Sequence, residues 1–391
     1  MDDKRLLVIA GIGCGPPYSG NRMRMRSLLE ECRSLGYSIH FAGIDFSDEE
    51  RSATSPWIDQ WVADFRSPTG KQPPALVPRI QRRFARGFRE YDDWVDRWVH
   101  LSWIAQARRL QKTHRYRRVL VAYVFYSAFL RAFGRRCKRI LDTHDVFADR
   151  RQRLAAIGVD GFWFSVPPAE ERRALLRADA VLAIQSAEAD TFRKLLRGRR
   201  TVHEVGHFLP IHHAKGHGTP TPAGCVGILA STNPLNVDGI RWFLAEVWPN
   251  VVSRCPQAKF LIAGHICAQF KDPVDSVELL GTVEDVAGFY NRCVCTVNPM
   301  RAGTGLKIKT LESLAHGCSV VTSPSGAEGL ECCRDHGLRI ASDAHQFADH
   351  IVHWITNPGE AVEDGKSAQT TLVGLYSRWR TALAESLECP R

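Results

Sequence analysis

The stretch whose reading decides the fold is Asn298-Pro-Met-Arg-Ala-Gly303-Thr304-Gly305-Leu306-Lys307-Ile308-Lys309-Thr310-Leu311-Glu312-Ser-Leu-Ala-His316-Gly317. An apolar run, Cys293 to Val297, leads into it; a Gly-x-Gly turn follows; Leu306 to His316 then has helical spacing and stops at Gly317. Such a strand–turn–helix aims unpaired backbone N–H groups and the positive helix end at an anion. Lys309 falls one turn into the helix, and Glu312, three residues later, shares its face. A cation for phosphate beside a carboxylate for hydroxyls suits a ligand that is both phosphorylated and hydroxylated. The competing reading is a solvated Lys–Glu pair on a helix surface.

Outward from this segment the same alternation repeats. Cys225 to Ala230, Lys259 to Gly264, Val277 to Leu280 and Ser319 to Thr322 read as short buried strands, with helical stretches at Pro234 to Cys255 and Glu284 to Asn291 between them. Towards the amino end, Leu6 to Ala10, Ser38 to Gly43, Val119 to Tyr123, Arg139 to Asp142 and Ala180 to Ile184 are further strand candidates, with a helix over Asn21 to Leu35. Between the two sets lies His207 to Gly224, rich in Pro, Gly and His and without periodicity, which reads as a linker. The 391 residues suit two domains. Alternating strands and helices predict α/β architecture, two Rossmann-like doubly wound lobes whose ligands bind at the carboxyl ends of the strands, in the cleft between the lobes. The expected division is a first lobe over 1–206, a linker over 207–223, a second lobe over 224–365 and a terminal helix over 366–391 that crosses back to the first lobe.

The first strand runs into Gly11-Ile-Gly13-Cys-Gly15-Pro16-Pro17-Tyr18-Ser19-Gly20-Asn21-Arg22. The dinucleotide fingerprint requires a third glycine where Pro16 stands and a helix opening at once. A long loop whose glycines let backbone approach a ligand fits better, making Gly15, Ser19, Gly20, Asn21 and Arg22 cleft candidates. His144, in Asp142-Thr-His144-Asp145 at the end of a strand, is a candidate for contact with a reacting group, and Asp145 is placed to orient its ring or to act as a base itself.

The second-half segment resembles the donor-binding region of family-four glycosyltransferases of the GT-B fold, through Val320-Val321-Thr322 and Gly326-Ala-Glu328-Gly329-Leu330. The resemblance extends upstream to Asn233-Pro-Leu-Asn236, Trp242-Phe243, Trp248-Pro249, Ala263-Gly264 and Leu280-Gly281-Thr-Val-Glu284-Asp285-Val286, and more weakly to the first half. It implies ribose binding by Glu312, phosphate binding by the Gly303–Leu306 backbone and Lys309, and a donor-side role for Asn236. The family often has a second glutamate eight residues before Glu312. Thr304 stands there, as in a Gly-x-Gly-x-x-x-Lys subgroup, which leaves the donor sugar unspecified. The implied activity is transfer of a sugar from a nucleotide diphosphate to a saccharide or lipid-linked acceptor with retention, in surface polysaccharide or glycoconjugate synthesis, with His144, Asp145 and Lys309 as catalytic candidates and no metal required. A sugar-nucleotide epimerase and a degenerate nucleotide-sugar-binding protein remain alternatives.

A net charge of +10 implies attraction to polyanions without choosing among them. Val77 to Arg118 holds twelve Lys/Arg against four Asp/Glu, interleaved with Trp94, Trp98 and Trp103, so an amphipathic helix is expected that either lies on an anionic membrane surface or packs on its lobe. No nucleic-acid module is recognisable. The twelve scattered cysteines read as reduced thiols, and His207, His212, His213 and His217 lack metal-ligand partners in sequence. With no signal peptide and no long apolar run, the expected location is the cytoplasm, with peripheral contact at the inner membrane face a possibility. Leu375, Trp379, Leu383 and Leu387 predict one apolar face on the terminal helix.

Overall fold

A computed structural model describes residues 4–15, 19–67, 93–156, 164–212, 224–270, 275–303 and 305–389. The chain divides into two compact units, Met1–Phe208 with Arg378–Arg391, and Leu209–Ser377. Each contains one parallel sheet, so two Rossmann-like domains are present.

In the first unit, seven strands, β1 (Arg5–Ala10), β2 (Ser38–Ile44), β3 (Gln60–Phe65), β4 (Arg118–Ala122), β5 (Lys138–Asp142), β6 (Ala180–Ala183) and β7 (Thr201–Glu204), lie in the order β3-β2-β1-β4-β5-β6-β7. The helices are α1 (Gly20–Ser34), α2 (Asp48–Thr54), α3 (Leu101–His114), α4 (Arg150–Ala155), α5 (Pro168–Leu175) and α6 (Ser186–Leu196). Residues Leu6 to Ala10 and Val119 to Ala122 are fully buried, as strands covered on both faces must be. The chain order reverses between β1 and β4, the kind of switch point at whose carboxyl ends ligands of open parallel sheets bind.

The second unit orders β8 (Cys225–Leu229), β9 (Lys259–Ala263), β10 (Val277–Gly281), β11 (Cys295–Asn298), β12 (Val320–Thr322) and β13 (Leu338–Ile340) as β10-β9-β8-β11-β12-β13. Its helices are α7 (Pro234–Trp242), α8 (Trp248–Arg254), α9 (Val286–Asn291), α10 (Ile308–Ala315), α11 (Pro324–Ala327), α12 (Ala344–Thr356) and α13 (Pro358–Leu387), with a π turn at Phe243–Val247 joining α7 to α8. The first residues of α13 belong to this unit and those from Arg378 to the first. Within the first unit, Trp379 donates to Glu204 (3.1 Å), Arg380 pairs with Glu31, and a side chain on Gly206 would run into the Trp379 ring.

The basic stretch differs from expectation. Residues 77–92 lie outside the described residues; in the remainder, Trp98 precedes the helix and packs on the core, Trp103, Ile104 and Ala107 of α3 are buried, and Leu101 is 68% exposed. Trp94, Trp98 and Leu101 therefore do not form one helical face. Trp98 and Trp103 pack inward, while Arg108, Arg109 and Lys112 face solvent. Of the expected linker over 207–223, residues 207–212 are described, and the boundary between the two units falls within them, at Phe208 and Leu209. His207 is fully buried and shares a hydrogen bond with Ser27 (3.1 Å), and His212 stacks on His316 at 4.1 Å, whereas His213 and His217 lie outside the described residues. The twelve cysteines are free thiols. Among the described residues no cluster of three metal-binding side chains occurs, and no helix is long and apolar enough to cross a membrane.

Candidate functional site

The second unit gathers its polar groups at the carboxyl ends of β8, β11 and β12. Asn298, the last residue of β11, donates to Thr310 (2.8 Å), whose hydroxyl donates to the Gly326 carbonyl (2.9 Å); the Thr322 hydroxyl donates to the Asn298 carbonyl (3.0 Å). These bonds tie the start of α10 to two strand ends and to α11. Gly326 is required, because a Cβ there would lie 2.0 Å from the Thr322 hydroxyl. The turn before α10 holds Gly303 at φ 140° and Gly305 at φ 76°, backbone that L side chains rarely adopt. Thr304 lies outside the described residues. Leu306 is buried and anchors the turn. The helix starts at Ile308, two residues later than the periodicity suggests, because Lys307 takes extended backbone as its N-cap.

Two lysines flank the turn, and their partners differ. Lys307 is buried, donates to the Gly305 carbonyl (2.7 Å) and pairs with Glu328 (3.0 Å). Lys309 donates to the side-chain oxygen of Asn236 and lies 3.5 Å from that of Asn298. Asn236 is fixed from behind by its bond to the Ser231 carbonyl (3.0 Å). No carboxylate pairs with Lys309 among the described residues. Burial, with the nearby Lys307 charge, pushes its ammonium down to about 7. Glu312, on the next turn, accepts from the Tyr290 hydroxyl (3.2 Å). Burial raises its carboxyl above the usual range, and the Tyr290 bond only partly offsets this. Tyr290 stacks on His316 (4.6 Å), which stacks on His212. Asn236, Lys309 and Glu312 thus share one corner with the glycine turn. Sequence reading missed the Lys307–Glu328 pair and Tyr290; the spacing of these residues carries no signal.

The first unit's loop is organised differently. Its glycines admit protein groups: a Cβ on Gly13 would lie 2.1 Å from the Thr54 hydroxyl, and one on Gly15 would lie 3.0 Å from the Ala53 carbonyl. At these two positions the groups that approach the glycine come from α2. Pro16, Pro17 and Tyr18 lie outside the described residues. Ser19 is the N-cap of α1, and Gly20 is its first residue. The Ser19 carbonyl accepts from Arg22 and Met23, and Asn21 takes the Ser19 hydroxyl (2.6 Å) and reaches the Tyr123 hydroxyl (3.2 Å). Arg22 donates to the Gly15 carbonyl (2.6 Å) and pairs with Glu50 (2.5 Å). Every candidate polar side chain here already has a protein partner.

His144 follows β5 at φ 62°, a left-handed conformation that is strained for a non-glycine residue. Its ring stacks on Tyr123 (4.1 Å). The carboxylate beside it is Asp142, with Oδ2 3.0 Å from Nε2 but out of hydrogen-bond alignment. Asp142 is fully buried and held by Arg24, which also donates to the carbonyls of Val205 and Gly206 (3.0 Å each). Burial opposes ionisation of Asp142, and the Arg24 and His144 charges overcome it, lowering its carboxyl below the usual range. Asp145 does not orient the ring; it pairs with Arg150 (2.9 Å) and caps the Val146 N–H (2.8 Å). The segment after it is fixed by Glu171, which accepts from Phe147 and Ala148 and is pushed by burial to about 7.

Residues 223–357 match the family described as Glycosyl transferases group 1. Over 135 residues the chain is 30% identical to a Klebsiella pneumoniae protein described as an uncharacterized 44.6 kDa protein in the cps region, covering 32% of this chain and 35% of that one, so the match spans about a third of the relative's length. In fold the similarity covers nearly the whole chain: TarM of S. aureus superimposes with a TM-score of 0.69 at 11% identity over 98% of this chain and 99% of its own. HepE of Anabaena, solved in complex with UDP, does so at 0.63 and 13% identity over 98% and 99%. The chain has the GT-B architecture throughout, and its second unit carries the sequence pattern of Glycosyl transferases group 1.

Proposed function

We propose that this protein is a glycosyltransferase that holds a nucleoside-diphosphate sugar in its second unit and moves the sugar, with retention, to a saccharide or lipid-linked acceptor received by the first. The observation that carries this reading is Lys309, a half-buried cation whose partners Asn236 and Asn298 are neutral, beside the glycine turn and one turn from Glu312. An ammonium so placed lacks the opposite charge that would repay its burial, and a diphosphate supplies it. Glu312 then accepts from ribose hydroxyls in place of Tyr290. In the transfer, the acceptor oxygen bonds to the anomeric carbon, the bond from that carbon to the phosphate oxygen breaks, and the leaving phosphate takes the acceptor proton. Lys309 and the α10 end stabilise the charge that develops. His144, backed by Asp142, is the first unit's group for the acceptor or sugar, and no metal is assigned a step. The cps-region relative and the UDP bound by HepE support polysaccharide synthesis and a uridine donor. Any hold on an anionic membrane would rest on Arg108, Arg109 and Lys112 and would be lost at high salt in vesicle sedimentation.

A thermal-shift panel of UDP, GDP, ADP and CMP, followed by transfer assays with the winning nucleotide's sugars, tests the reading. One nucleotide is expected to stabilise the chain, and Glu312→Ala to weaken it about tenfold. No shift with any nucleotide, or full affinity in Glu312→Ala, would sink the donor site. Donor conversion without an acceptor would favour an epimerase.

A further inference from the structure

We propose that the second unit carries a second pocket, on the side of its edge strand β13, that binds a small sugar phosphate. The cavity has a volume of about 400 Å³ and is lined chiefly by Arg334, Asp335, Gly337, Arg339, His350 and Asp364. That size suits a small ligand. It shares no residue with the donor corner: its lining begins at the amino end of β13, whereas Asn298 and Lys309 cluster at strand carboxyl ends.

The pocket is held rigidly. The Arg339 guanidinium lies over the Trp354 ring at 4.5 Å and 3.5 Å from Asp364, whose carboxylate also accepts from the Trp354 indole (3.1 Å). Gly337 adopts φ 79°, and a Cβ there would meet the Asp364 carbonyl at 2.7 Å, so the loop sits directly on α13. Its carbonyl accepts from Val320 (2.7 Å), and Asp335 N–H donates to Leu338 (3.1 Å).

Within this frame three side chains are unused. Among the described residues, Arg334, Asp335 and His350 have no side-chain hydrogen bond or ion pair. The Arg334 guanidinium and the His350 imidazole, beside an Arg339 already paired with Asp364, offer donors to a phosphate. Burial and the Arg339 charge hold the His350 imidazole below its usual range, against the opposing pull of Asp349 and Asp335. Asp335 decides the rest of the ligand. A carboxylate repels a bare anion but accepts hydroxyl hydrogens, and a lone phosphate would leave most of the volume empty. A phosphate on a neutral, hydroxylated body satisfies both.

Calorimetry on the full chain with glucose 6-phosphate, inorganic phosphate and glucose tests this. Glucose 6-phosphate is expected to bind saturably, phosphate at least tenfold more weakly, and glucose not at all. Arg334→Glu, a surface change that leaves folding intact, and Arg334→Ala with His350→Ala should each weaken glucose 6-phosphate at least tenfold and leave UDP affinity unchanged. Lys309→Met with Glu312→Ala should leave glucose 6-phosphate binding unchanged. Absence of saturable glucose 6-phosphate binding, or binding indifferent to the Arg334 variants, overturns the pocket. Phosphate binding as tightly as glucose 6-phosphate overturns the sugar moiety. Because UDP and glucose 6-phosphate are read separately, failure of the donor site leaves this result standing, and the reverse.

Discussion

Two glycine-bearing connections from strand to helix, one in each unit, look alike in sequence and do opposite things. In the first, Gly13 and Gly15 make room for Thr54 and Ala53, and the polar residues that follow are paired: Arg22 with Glu50, Asn21 with Tyr123, and Arg24 with Asp142. In the second, the glycines adopt left-handed backbone, and the turn ends beside Lys309, whose partners are two neutral amides. A glycine-rich loop therefore says little about ligands. What separates the two is the balance of charge beside each connection: complete at the first, incomplete at the second.

The largest effect should come from unbalancing the first. Arg24 and Asp142 are both almost wholly buried, and Arg24→Met leaves the carboxylate with only His144 nearby. Breaking a buried pair from one side costs about 3–5 kcal/mol. Because Asp142 titrates below its unfolded value, the pair's contribution is present above the unfolded pKa and lost as pH falls through the folded one, so the deficit is greatest near neutrality. Urea unfolding of the first unit checks it, and Arg24→Met with Asp142→Leu should recover most of the loss. A double variant no better than the single would mean that Arg24 matters through its bonds to Val205 and Gly206 instead.

The corresponding change in the second unit should invert the outcome. Lys309→Met removes a cation that has no carboxylate partner, so stability at neutral pH is expected to hold or rise. Nucleotide binding should weaken by about 2–3 kcal/mol, the scale of a lost charge-assisted contact to phosphate. Melting curves with and without UDP measure both. A variant that loses stability as Arg24→Met does would show that Lys309 is structural, and the contrast between the units would collapse.

Why one unit was more legible than the other follows from where the signals lie. Leu6 to Ala10 and Lys259 to Gly264 are continuous apolar runs between turn signals, so the two parallel sheets could be read directly. The strand Gln60–Phe65 could not, because its central residues are only half-buried and its Trp and Asp break the run. The strand Leu338–Ile340 has three residues, too few for a period. Lys309 and Glu312 were readable because helical spacing places them on one face. The Lys307–Glu328 pair, 21 residues apart, exists only once β12 and α11 bring the segments together. His144 was legible as a strand-end residue, but its carboxylate was misassigned. Sequence adjacency favours Asp145 and Asp142 almost equally, and the left-handed backbone at His144 brings the ring against Asp142 while Arg150 takes Asp145.

The smallest effect, and the finest discriminator, is in protons. Lys309 titrates near 7 when folded and near 10.5 when unfolded, so the native state binds fewer protons between those values. The cost of burying the charge is full below pH 7 and relieved as pH rises, so the second unit should gain stability on going from pH 7 to 9; Lys309→Met should abolish that gain. Nucleotide binding should show the reverse dependence, because the diphosphate needs the ammonium charged. Above pH 7 the protein must take up a proton on binding, which weakens affinity by up to about tenfold, or about 1.4 kcal/mol, per pH unit. Calorimetry of UDP binding at pH 8 in buffers of different ionisation enthalpy counts that proton, and subtracting Lys309→Met removes the nucleotide's own titration. An uptake approaching one proton in the wild type and none in the variant would assign the unbalanced charge to Lys309. Equal uptake in both would place it elsewhere in the turn and leave the second connection as ordinary as the first.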